Sequence, residues 1–207
     1  MPNTTEHWNK IFAAKADPEL GWYEGDASQT LRFLEGIPHL ESATVFLPGA
    51  GTSVLVDELL NRCHQLVLND ISDAALNKLK DRIQDNGKVV WLYHDMSKPL
   101  PKDCPLADLW IDRAVLHFLL EEPEIEGYFD NLRAVIKDGG FVLLAEFSPD
   151  GAPRCAGLDL HRYSAEEMAY RLGSQFTLIR QERFNYISPF GDQRPYIYAL
   201  FQRRNSD

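Results

Sequence analysis

The sequence predicts an α/β fold in which helices cover both faces of a doubly wound sheet of about seven strands. Three observations support this fold class. Between residues 43 and 148, short apolar runs alternate with amphipathic stretches, as in the βα units of a parallel sheet. A Gly-x-Gly turn follows the first apolar run. Two alternating aromatic runs near the end of the sequence indicate an antiparallel hairpin, so the sheet is expected to be mostly parallel and Rossmann-like.

The first three strands are predicted from the short apolar runs "ATVFL", "QLVLND" and "KVVWLY". Between the first two, "SVLVDELLNRC" places Leu55, Leu59 and Cys63 on one face of a helix. Between the second and third, "ISDAALNKLKDRI" carries an apolar residue at every fourth position from Ile71 to Ile83. Both spacings are typical of helices that pack one side on a sheet.

The later elements are predicted in the same way. "LADLWID" indicates a fourth strand, and "EIEGYFDNLRAVI" indicates an amphipathic helix that Gly139 and Gly140 are expected to end. "FVLLAEF" is the fifth strand. Ser164 and Glu167 have the spacing of a capping box at the start of the helix "AEEMAYRL". "FTLIRQERFNY" and "PYIYALFQ" are the two strands of the expected hairpin.

Composition excludes several classes of protein. The net charge of −10 argues against a nucleic-acid partner, because binding to a phosphate backbone needs clustered Lys and Arg side chains. Three widely spaced cysteines predict neither disulfides nor a zinc site. The sequence contains no apolar stretch of the ~18 residues that indicate a transmembrane helix, and no signal peptide is recognisable. We therefore expect a cytoplasmic protein without a membrane partner.

The ends of the predicted strands carry the residues that suggest a ligand. Gly49-Ala50-Gly51 follows the first strand, and glycines allow a backbone to approach a ligand closely. Asp70 ends the second strand. Its sequence spacing from the glycines is that of an acid that accepts hydrogen bonds from ribose hydroxyls. A tight turn without a ligand is the plainer interpretation of the glycines alone. Together, the loop and the acid favour a nucleoside cofactor.

Two further features restrict the cofactor. Val54 occupies the place of the third glycine that a dinucleotide loop uses beneath its diphosphate. Asp95, after the third strand, can accept from an adenine amino group or can cap the turn that follows it. Two acids without a cluster of basic groups fit a cofactor that carries no phosphate. S-adenosylmethionine is a ligand of this kind.

The fourth strand ends in charged residues. Arg113 can pair with the carboxylate of the cofactor, or it can form a salt bridge with Asp112 or Asp108. His117 is a candidate acceptor-side residue, although a single His at the start of a helix is more often structural.

With these motifs in this order, the sequence resembles the class I S-adenosylmethionine-dependent methyltransferases over nearly its whole length. Most of them have an acid where this chain has Leu47, and they favour a third glycine that is missing here. The thiopurine S-methyltransferase-like branch lacks both, and Pro48 and Gly51 match its loop. Its Asp-Arg-x-x-Leu segment is matched by Asp112, Arg113 and Leu116. Its Trp-rich N-terminal helix and Gly-aromatic step are similar to "HWNKIF" and "GWYEG".

The resemblance implies that aromatic residues cover the cofactor, that the glycine loop approaches its methionine part, and that acids hold its ribose and border its adenine. The implied cofactor-binding residues are Trp8, Phe12, Trp22, Gly49, Ala50, Gly51, Asp70, Ile71, Asp95, Met96, Asp112 and Arg113. Candidates near the acceptor are Arg113, His117, Tyr23 and Arg154, and no single catalytic residue is predicted.

The implied activity is methyl transfer from S-adenosylmethionine by in-line displacement, with S-adenosylhomocysteine as product. The expected acceptor is a small molecule, a thiol or a related soft nucleophile. The chain would be a single methyltransferase domain, with a helical lid segment (1–42), a cofactor-binding βα core (43–148) and an acceptor-side insertion with the hairpin (149–207). Proximity alone can drive this reaction, and no metal is expected because no His/Asp/Glu cluster has ligand spacing.

Two alternatives stay open. The N-terminal motifs are also similar to those of small protein lysine methyltransferases, although their usual Asp-x-Gly-Thr-Leu-Asp differs from Asp-Arg-Ala-Val-Leu-His here. A non-catalytic protein that binds a nucleoside or NAD is the third hypothesis. The sequence does not reveal the oligomeric state, and a monomer is compatible with it.

Overall fold

The computed structural model describes residues 3–85 and 87–205. Its sheet contains seven strands in the order β3-β2-β1-β4-β5-β9-β8. These strands are β1 (Thr44–Leu47), β2 (Gln65–Asp70), β3 (Val89–Tyr93), β4 (Ala107–Arg113), β5 (Ile136–Phe147), β8 (Phe176–Ile187) and β9 (Gln193–Arg203). The first five pair in parallel, whereas β9 is antiparallel to β5 and to β8. The predicted doubly wound sheet with a terminal hairpin is confirmed.

Six α-helices and a small second sheet complete the described structure. The helices are α1 (Thr5–Ala14), α2 (Ser28–Leu34), α3 (Leu55–Leu60), α4 (Asp73–Arg82), α5 (Glu122–Val135) and α6 (Ala165–Leu172). Short 3-10 turns lie at Asp17–Glu19, Leu40–Ser42 and Leu116–Phe118, and β6 (Arg154–Cys155) pairs with β7 (Leu158–Asp159). Within these residues, no helix is long and apolar enough to cross a bilayer.

The sheet separates two hydrophobic layers. Side chains of α1 to α4 pack on one face, and those of α5 and α6 pack on the other. Successive residues of β1 show the alternation, because Val45 belongs to the first layer and Phe46 to the second. Phe46 stacks on Trp110 of β4, with ring centroids 4.4 Å apart. Each fully buried side chain of this kind contributes about 1.5–3 kcal/mol to folding.

The predicted role of Gly139 and Gly140 in ending α5 is wrong. The helix ends at Val135, and Gly139 and Gly140 lie within β5. The register between β4 and β5 shifts at this point, and Gly139 has a φ of 76°. A Cβ on Gly140 would lie 3.0 Å from the Asp108 carbonyl oxygen. The glycines therefore allow an irregular step in the sheet, where the two backbones come close.

The capping box at α6 is confirmed only in part. The Ser164 hydroxyl accepts a hydrogen bond from the Glu167 N–H at 3.2 Å, as expected for an N-cap. The Glu167 carboxylate is engaged elsewhere, since it lies 2.8 Å from His161 Nε2 and 3.0 Å from Arg171 Nε. Its side chain ties the preceding loop to the helix.

Candidate active site

A deep cleft lies at the carboxyl ends of β1 to β4, where the strand order reverses between β1 and β4. Ligands of open α/β sheets bind at this position. Helix α1 and residues 20–24 form its other wall. The predicted cofactor residues that line the cleft are Trp8, Phe12, Trp22, Gly49, Ala50, Gly51, Asp70, Ile71, Asp95, Met96 and Arg113. Of the acceptor-side candidates, Tyr23, Arg113 and His117 line it as well.

The loop after β1 needs both of its glycines. Gly49 and Gly51 each have a φ of 53°, in the left-handed region that side chains disfavour. A Cβ on Gly49 would lie only 2.2 Å from Val115 Cγ2, and one on Gly51 would lie 3.4 Å from Phe12 Cζ. The Ala50 N–H donates to the Asn69 carbonyl oxygen at 2.7 Å. The loop is thus enclosed by β2, the segment after β4 and helix α1.

Asp70 joins this loop to the end of β2. Its Oδ2 accepts from the Gly51 N–H at 2.9 Å, and its Oδ1 accepts from the Ser72 N–H at 2.8 Å. The side chain is buried, and burial raises the pKa of Asp70 to about 6, against the lowering effect of these two bonds. A carboxylate oxygen has a second lone pair, so Asp70 retains acceptor capacity towards the cleft.

Arg82, which was not among the predicted site residues, holds the loop through hydrogen bonds. Arg82, at the end of α4, donates to the carbonyl oxygens of Thr52 at 2.6 Å and Ser53 at 2.7 Å. Its guanidinium also pairs with Asp57 of α3 at 2.7 Å and lies 3.7 Å from Asp17. In the sequence, Arg82 was indistinguishable from an ordinary basic residue at a helix end.

The end of β3 supplies Asp95 and Met96. Asp95 Oδ1 accepts from the Ser97 N–H at 2.9 Å, so this residue does cap the turn that follows it. It also lines the cleft, beside the buried Met96. Asn69 holds this region close to β2, because its Nδ2 donates to the carbonyl oxygens of Leu92 at 3.1 Å and His94 at 2.8 Å.

An aromatic cluster covers the cleft. Trp8 packs against Trp22 and Phe118 with ring centroids 5.6 Å and 4.9 Å apart, and Phe12 lies 6.1 Å from Trp22. Helix α1 docks through Asn9, whose Oδ1 accepts from the Ser72 hydroxyl at 2.7 Å. The N-terminal segment is therefore bonded to the start of α4, next to Asp70.

Arg113, at the end of β4, has a partner that the sequence analysis did not identify. Its Nη2 lies 2.9 Å from Glu24 Oε1, and its Nη1 donates to the Trp22 carbonyl oxygen at 3.1 Å. The guanidinium also lies over Tyr186 and Tyr196, 5.0 Å and 5.3 Å from the ring centroids. Such stacking on aromatic faces favours Arg over Lys.

Neither acid that the sequence offered as a partner for Arg113 takes that role. Asp108 pairs with Lys137 at 2.9 Å. Asp112 lies outside the cleft lining and is fully buried, where it accepts from the Tyr128 hydroxyl and from the Val115 N–H at 3.0 Å. Its bonds hold the segment after β4, so its position suits a structural role better than direct contact with a cofactor.

His117 lines the cleft but is fully buried. Its Nδ1 lies 2.5 Å from Oε2 of Glu146, an acid inside the apolar fifth strand that sequence reasoning overlooked. Burial lowers the pKa of His117 to about 3 and raises the pKa of Glu146 to about 8. The His117 side chain is therefore neutral near pH 7 and makes a weak base.

The insertion after β5 contributes a different residue from the one expected. Arg154 is exposed, does not line the cleft and pairs with Asp159 at 3.0 Å. Its neighbour Cys155 is buried and lines the cleft, with Sγ 3.5 Å from Arg194 Nη1. Burial raises the pKa of the Cys155 thiol. No group of three His, Cys, Asp or Glu side chains within residues 3–85 and 87–205 is placed to hold a metal ion.

The cleft fits a cationic nucleoside cofactor without phosphate. Among the described residues, the lining contains three acids, Glu24, Asp70 and Asp95. Within the same residues it contains one Arg or Lys side chain, Arg113. The glycine loop has no space for a Cβ at Gly49, and Asp70 is buried beside it. A dinucleotide loop would bring a third glycine beneath the diphosphate, and Val54 occupies that place here.

Residues 48–142 match the family model described as a methyltransferase domain. A search of curated proteins finds no match. Among solved structures, the N-methyltransferase NodS from Bradyrhizobium japonicum WM9, in complex with S-adenosylhomocysteine, is similar with a TM-score of 0.74 and 16% identity, over 97% of this chain and 99% of that one. A SAM-dependent methyltransferase from Anabaena variabilis ATCC 29413 has a TM-score of 0.78 and 16% identity, over 97% and 93% of the two chains.

A third similar structure contains both a product cofactor and an acceptor. It is the 1,6-didemethyltoxoflavin-N1-methyltransferase from Burkholderia thailandensis, with bound 1,6-didemethyltoxoflavin and S-adenosylhomocysteine. Its TM-score is 0.67 at 18% identity, over 97% of this chain and 84% of that one. At such identities, structural similarity shows the fold alone.

The chain therefore has a Rossmann-like fold, and its residues 48–142 match a methyltransferase domain. Its fold is that of S-adenosylmethionine-dependent methyltransferases. The narrower resemblance to the thiopurine S-methyltransferase-like branch stays a prediction.

Proposed function

We propose that this chain is an S-adenosylmethionine-dependent methyltransferase that acts on a small-molecule acceptor, and that the acceptor atom is a thiol or a related soft nucleophile. The observation that carries the proposal is the cover over the cleft. Trp8, Trp22 and Phe118 pack edge to face across it, and Leu20 and Tyr23 extend the same wall. An aromatic enclosure suits a compact, flat molecule better than a polypeptide segment.

The proposed cofactor site uses the strand ends. Gly49, Ala50 and Gly51 would face the methionine part, Asp70 and Ile71 the ribose, and Asp95 and Met96 the adenine. When bound, S-adenosylmethionine supplies a methyl group on a sulfonium, which leaves readily. The protein then has to exclude water and hold the acceptor in line with the breaking bond, about 3 Å from the methyl carbon. Residues 1–42 would act as the lid, and residues 149–207 would supply the acceptor side.

The electrostatics of the site support a soft nucleophile. The neutral His117 is fully buried, and the Arg113 guanidinium is paired, so neither offers a strong base. A thiol needs little help, because its usual pKa near 8.5 leaves a few per cent of thiolate at pH 7. A protonated amine would first have to lose a proton, and Glu24, the acid proposed at the acceptor end, is held in an ion pair with Arg113.

The test is a screen with S-adenosylmethionine labelled on its methyl group, across thiols, selenols, halide ions, amines and carboxylates. We expect transfer to thiols or selenols. A labelled protein band in lysate, without transfer to any small molecule, would replace the proposal with the protein lysine methyltransferase hypothesis. Transfer to amines alone would leave the small-molecule acceptor in place and overturn the soft-nucleophile part.

A further inference from the structure

We propose that Glu24 is a specificity-determining residue that excludes acceptors bearing a carboxylate. This inference deepens the proposed function and rests on it, because it takes the acceptor to enter beside residues 20–24. The relevant geometry is the ion pair at the end of the cleft, where Glu24 Oε1 lies 2.9 Å from Arg113 Nη2.

In this ion pair, Glu24 neutralises the positive charge of Arg113. Arg113 is the sole Arg or Lys in the lining described above, so an anionic acceptor would depend on it. Its Nη1 is already bonded to the Trp22 carbonyl oxygen, and Nη2 is paired with Glu24. A carboxylate entering here would be desolvated and would face Glu24 without a free cation. Placing like charges together in this way is a common means of rejecting a wrong ligand.

The pair is also held in place. The side chains of Arg113 and Glu24 are only 13% and 14% exposed, and the guanidinium is stacked on Tyr186 and Tyr196. The Tyr186 hydroxyl donates to the Tyr23 carbonyl oxygen, which fixes the backbone next to Glu24. Removing one partner of a buried pair leaves the other uncompensated, so a ligand cannot displace Glu24 cheaply.

The other groups at this end provide no substitute cation. His117 is neutral and buried against Glu146. Arg194 lies behind Cys155, outside the lining, and its guanidinium is within 3.9 Å of Asp192. The acceptor side therefore presents aromatic rings and paired charges, which selects molecules that are uncharged apart from the reacting atom.

The test uses benzamide and benzoate, which share a shape and differ in charge. Calorimetry at pH 7.5, with the enzyme saturated with S-adenosylhomocysteine, compares their binding to the wild type, Glu24→Gln and Asp26→Asn. Asp26→Asn is the matched control, because it removes an exposed acid from the same segment and leaves Arg113 paired.

We expect the wild type to bind benzamide more tightly than benzoate, and Glu24→Gln to bind benzoate about tenfold more tightly than the wild type does. Asp26→Asn should keep the wild-type preference. Equal benzoate binding by Glu24→Gln and the wild type, including no binding by either, would overturn the inference. Wild-type binding of benzoate at least as tight as that of benzamide would also contradict the inference. If Glu24→Gln does not fold, Glu24→Ala replaces it in the comparison.

The binding test is independent of the chemistry. A parallel assay compares methyl transfer to thiophenol and to 4-mercaptobenzoate. If neither thiol is methylated but the benzoate pattern holds, the soft-nucleophile proposal fails and the role of Glu24 stands. If thiophenol is methylated and Glu24→Gln does not improve the ratio of kcat/KM for 4-mercaptobenzoate to thiophenol, the role of Glu24 fails and the proposed function stands.

Discussion

Asp70 Oδ2 accepts a hydrogen bond from the Gly51 N–H at 2.9 Å, so the acid at the end of β2 and the glycine loop after β1 form one bonded unit. The contact explains why two separate motifs occur together in the sequence. Through this bond, the carboxylate contacts a loop residue whose φ lies in the left-handed region. A change in either residue should therefore affect both the cofactor affinity and the conformation of the loop.

The first prediction concerns the charge of Asp70. Since burial raises its pKa to about 6, the carboxylate is mostly protonated at pH 5 and mostly ionised at pH 7.5. The ionised carboxylate accepts hydrogen bonds from hydroxyl groups better than the protonated form does. The affinity for S-adenosylhomocysteine should therefore rise from pH 5 to pH 7.5. Asp70→Asn should bind about tenfold more weakly at pH 7.5 and show a flatter pH dependence. Titration calorimetry at several pH values measures both, and an unchanged affinity for Asp70→Asn would remove Asp70 from the cofactor site.

The second prediction concerns the space beside Gly49. Gly49→Ala places a Cβ 2.2 Å from Val115 Cγ2 and also forces Ala into a φ of 53°, so the loop must move. We expect a loss of about 1–3 kcal/mol in the free energy of unfolding, together with weaker cofactor binding. Urea denaturation and calorimetry measure the two effects. Adding Val115→Ala removes the clash but not the strain in φ, so the double variant should recover part of the loss.

The control for this loop is Gly25→Ala. A Cβ added to Gly25 would meet no other atom within 4 Å, and the φ of Gly25 is not positive. This change should therefore leave stability and cofactor affinity near the wild-type values. A Gly49→Ala variant as stable as Gly25→Ala would show that the loop tolerates a side chain.

The elements of the sheet could be predicted because each strand and helix carries its own pattern of apolar residues. The apolar repeat from Ile71 to Ile83 lies within the reach of one helix, and Asp70 follows Gly51 at a distance that nucleoside-binding proteins reuse. The role of Gly139 and Gly140 could not be predicted correctly, because a pair of glycines is compatible with a helix end and with an irregular strand.

The contacts that define the acceptor end could not be predicted in the same way. Glu24 and Arg113 lie far apart along the chain, and only the packing of residues 20–24 on the end of β4 brings them together. Arg82 resembled any basic residue in the last turn of a helix. Glu146 did leave a signal, since an acid in the apolar run "FVLLAEF" must be buried with a partner or protonated. Pairing it with His117 required the structure.

The third prediction tests the support of the loop by Arg82. Arg82→Met keeps the aliphatic part of the side chain and removes the donors to the Thr52 and Ser53 carbonyl oxygens. The freed carbonyls can bond to water, so we expect a moderate effect, about tenfold in the affinity for S-adenosylhomocysteine. The matched control is Arg62→Met, which removes an exposed guanidinium whose ion pair is with Glu58 of the preceding helix α3. Equal calorimetric affinities for the two variants would contradict the role of Arg82.

The fourth prediction concerns the buried pair of His117 and Glu146 and the pH dependence of stability. The pKa of Glu146 is about 8 in the folded chain, against an ordinary value near 4.3 in the unfolded chain. Its contribution to stability is therefore complete below pH ~4 and is lost as the pH rises to 8. The pKa of His117 is lowered to about 3, against an ordinary value near 6.5. Its effect has the opposite sign and opposes that of Glu146 only below pH ~6.5.

Between pH 6.5 and 8, the effect of Glu146 is unopposed by His117, and each pH unit should lower the free energy of unfolding by at most ~1.4 kcal/mol. Glu146→Gln keeps the size of the side chain and removes the titration, so its stability should fall less steeply over this window. The pKa of Asp112 is raised by burial and by the charge of Glu146, so Glu146→Gln also changes the titration of Asp112, and the difference in slope reports on both acids. Glu58→Gln is the control for loss of a surface acid and should keep the wild-type slope. Denaturant unfolding at pH 6.5, 7.25 and 8 measures these slopes, and parallel curves for the wild type and Glu146→Gln would show that the pair of His117 and Glu146 binds no extra proton in the folded chain over this window.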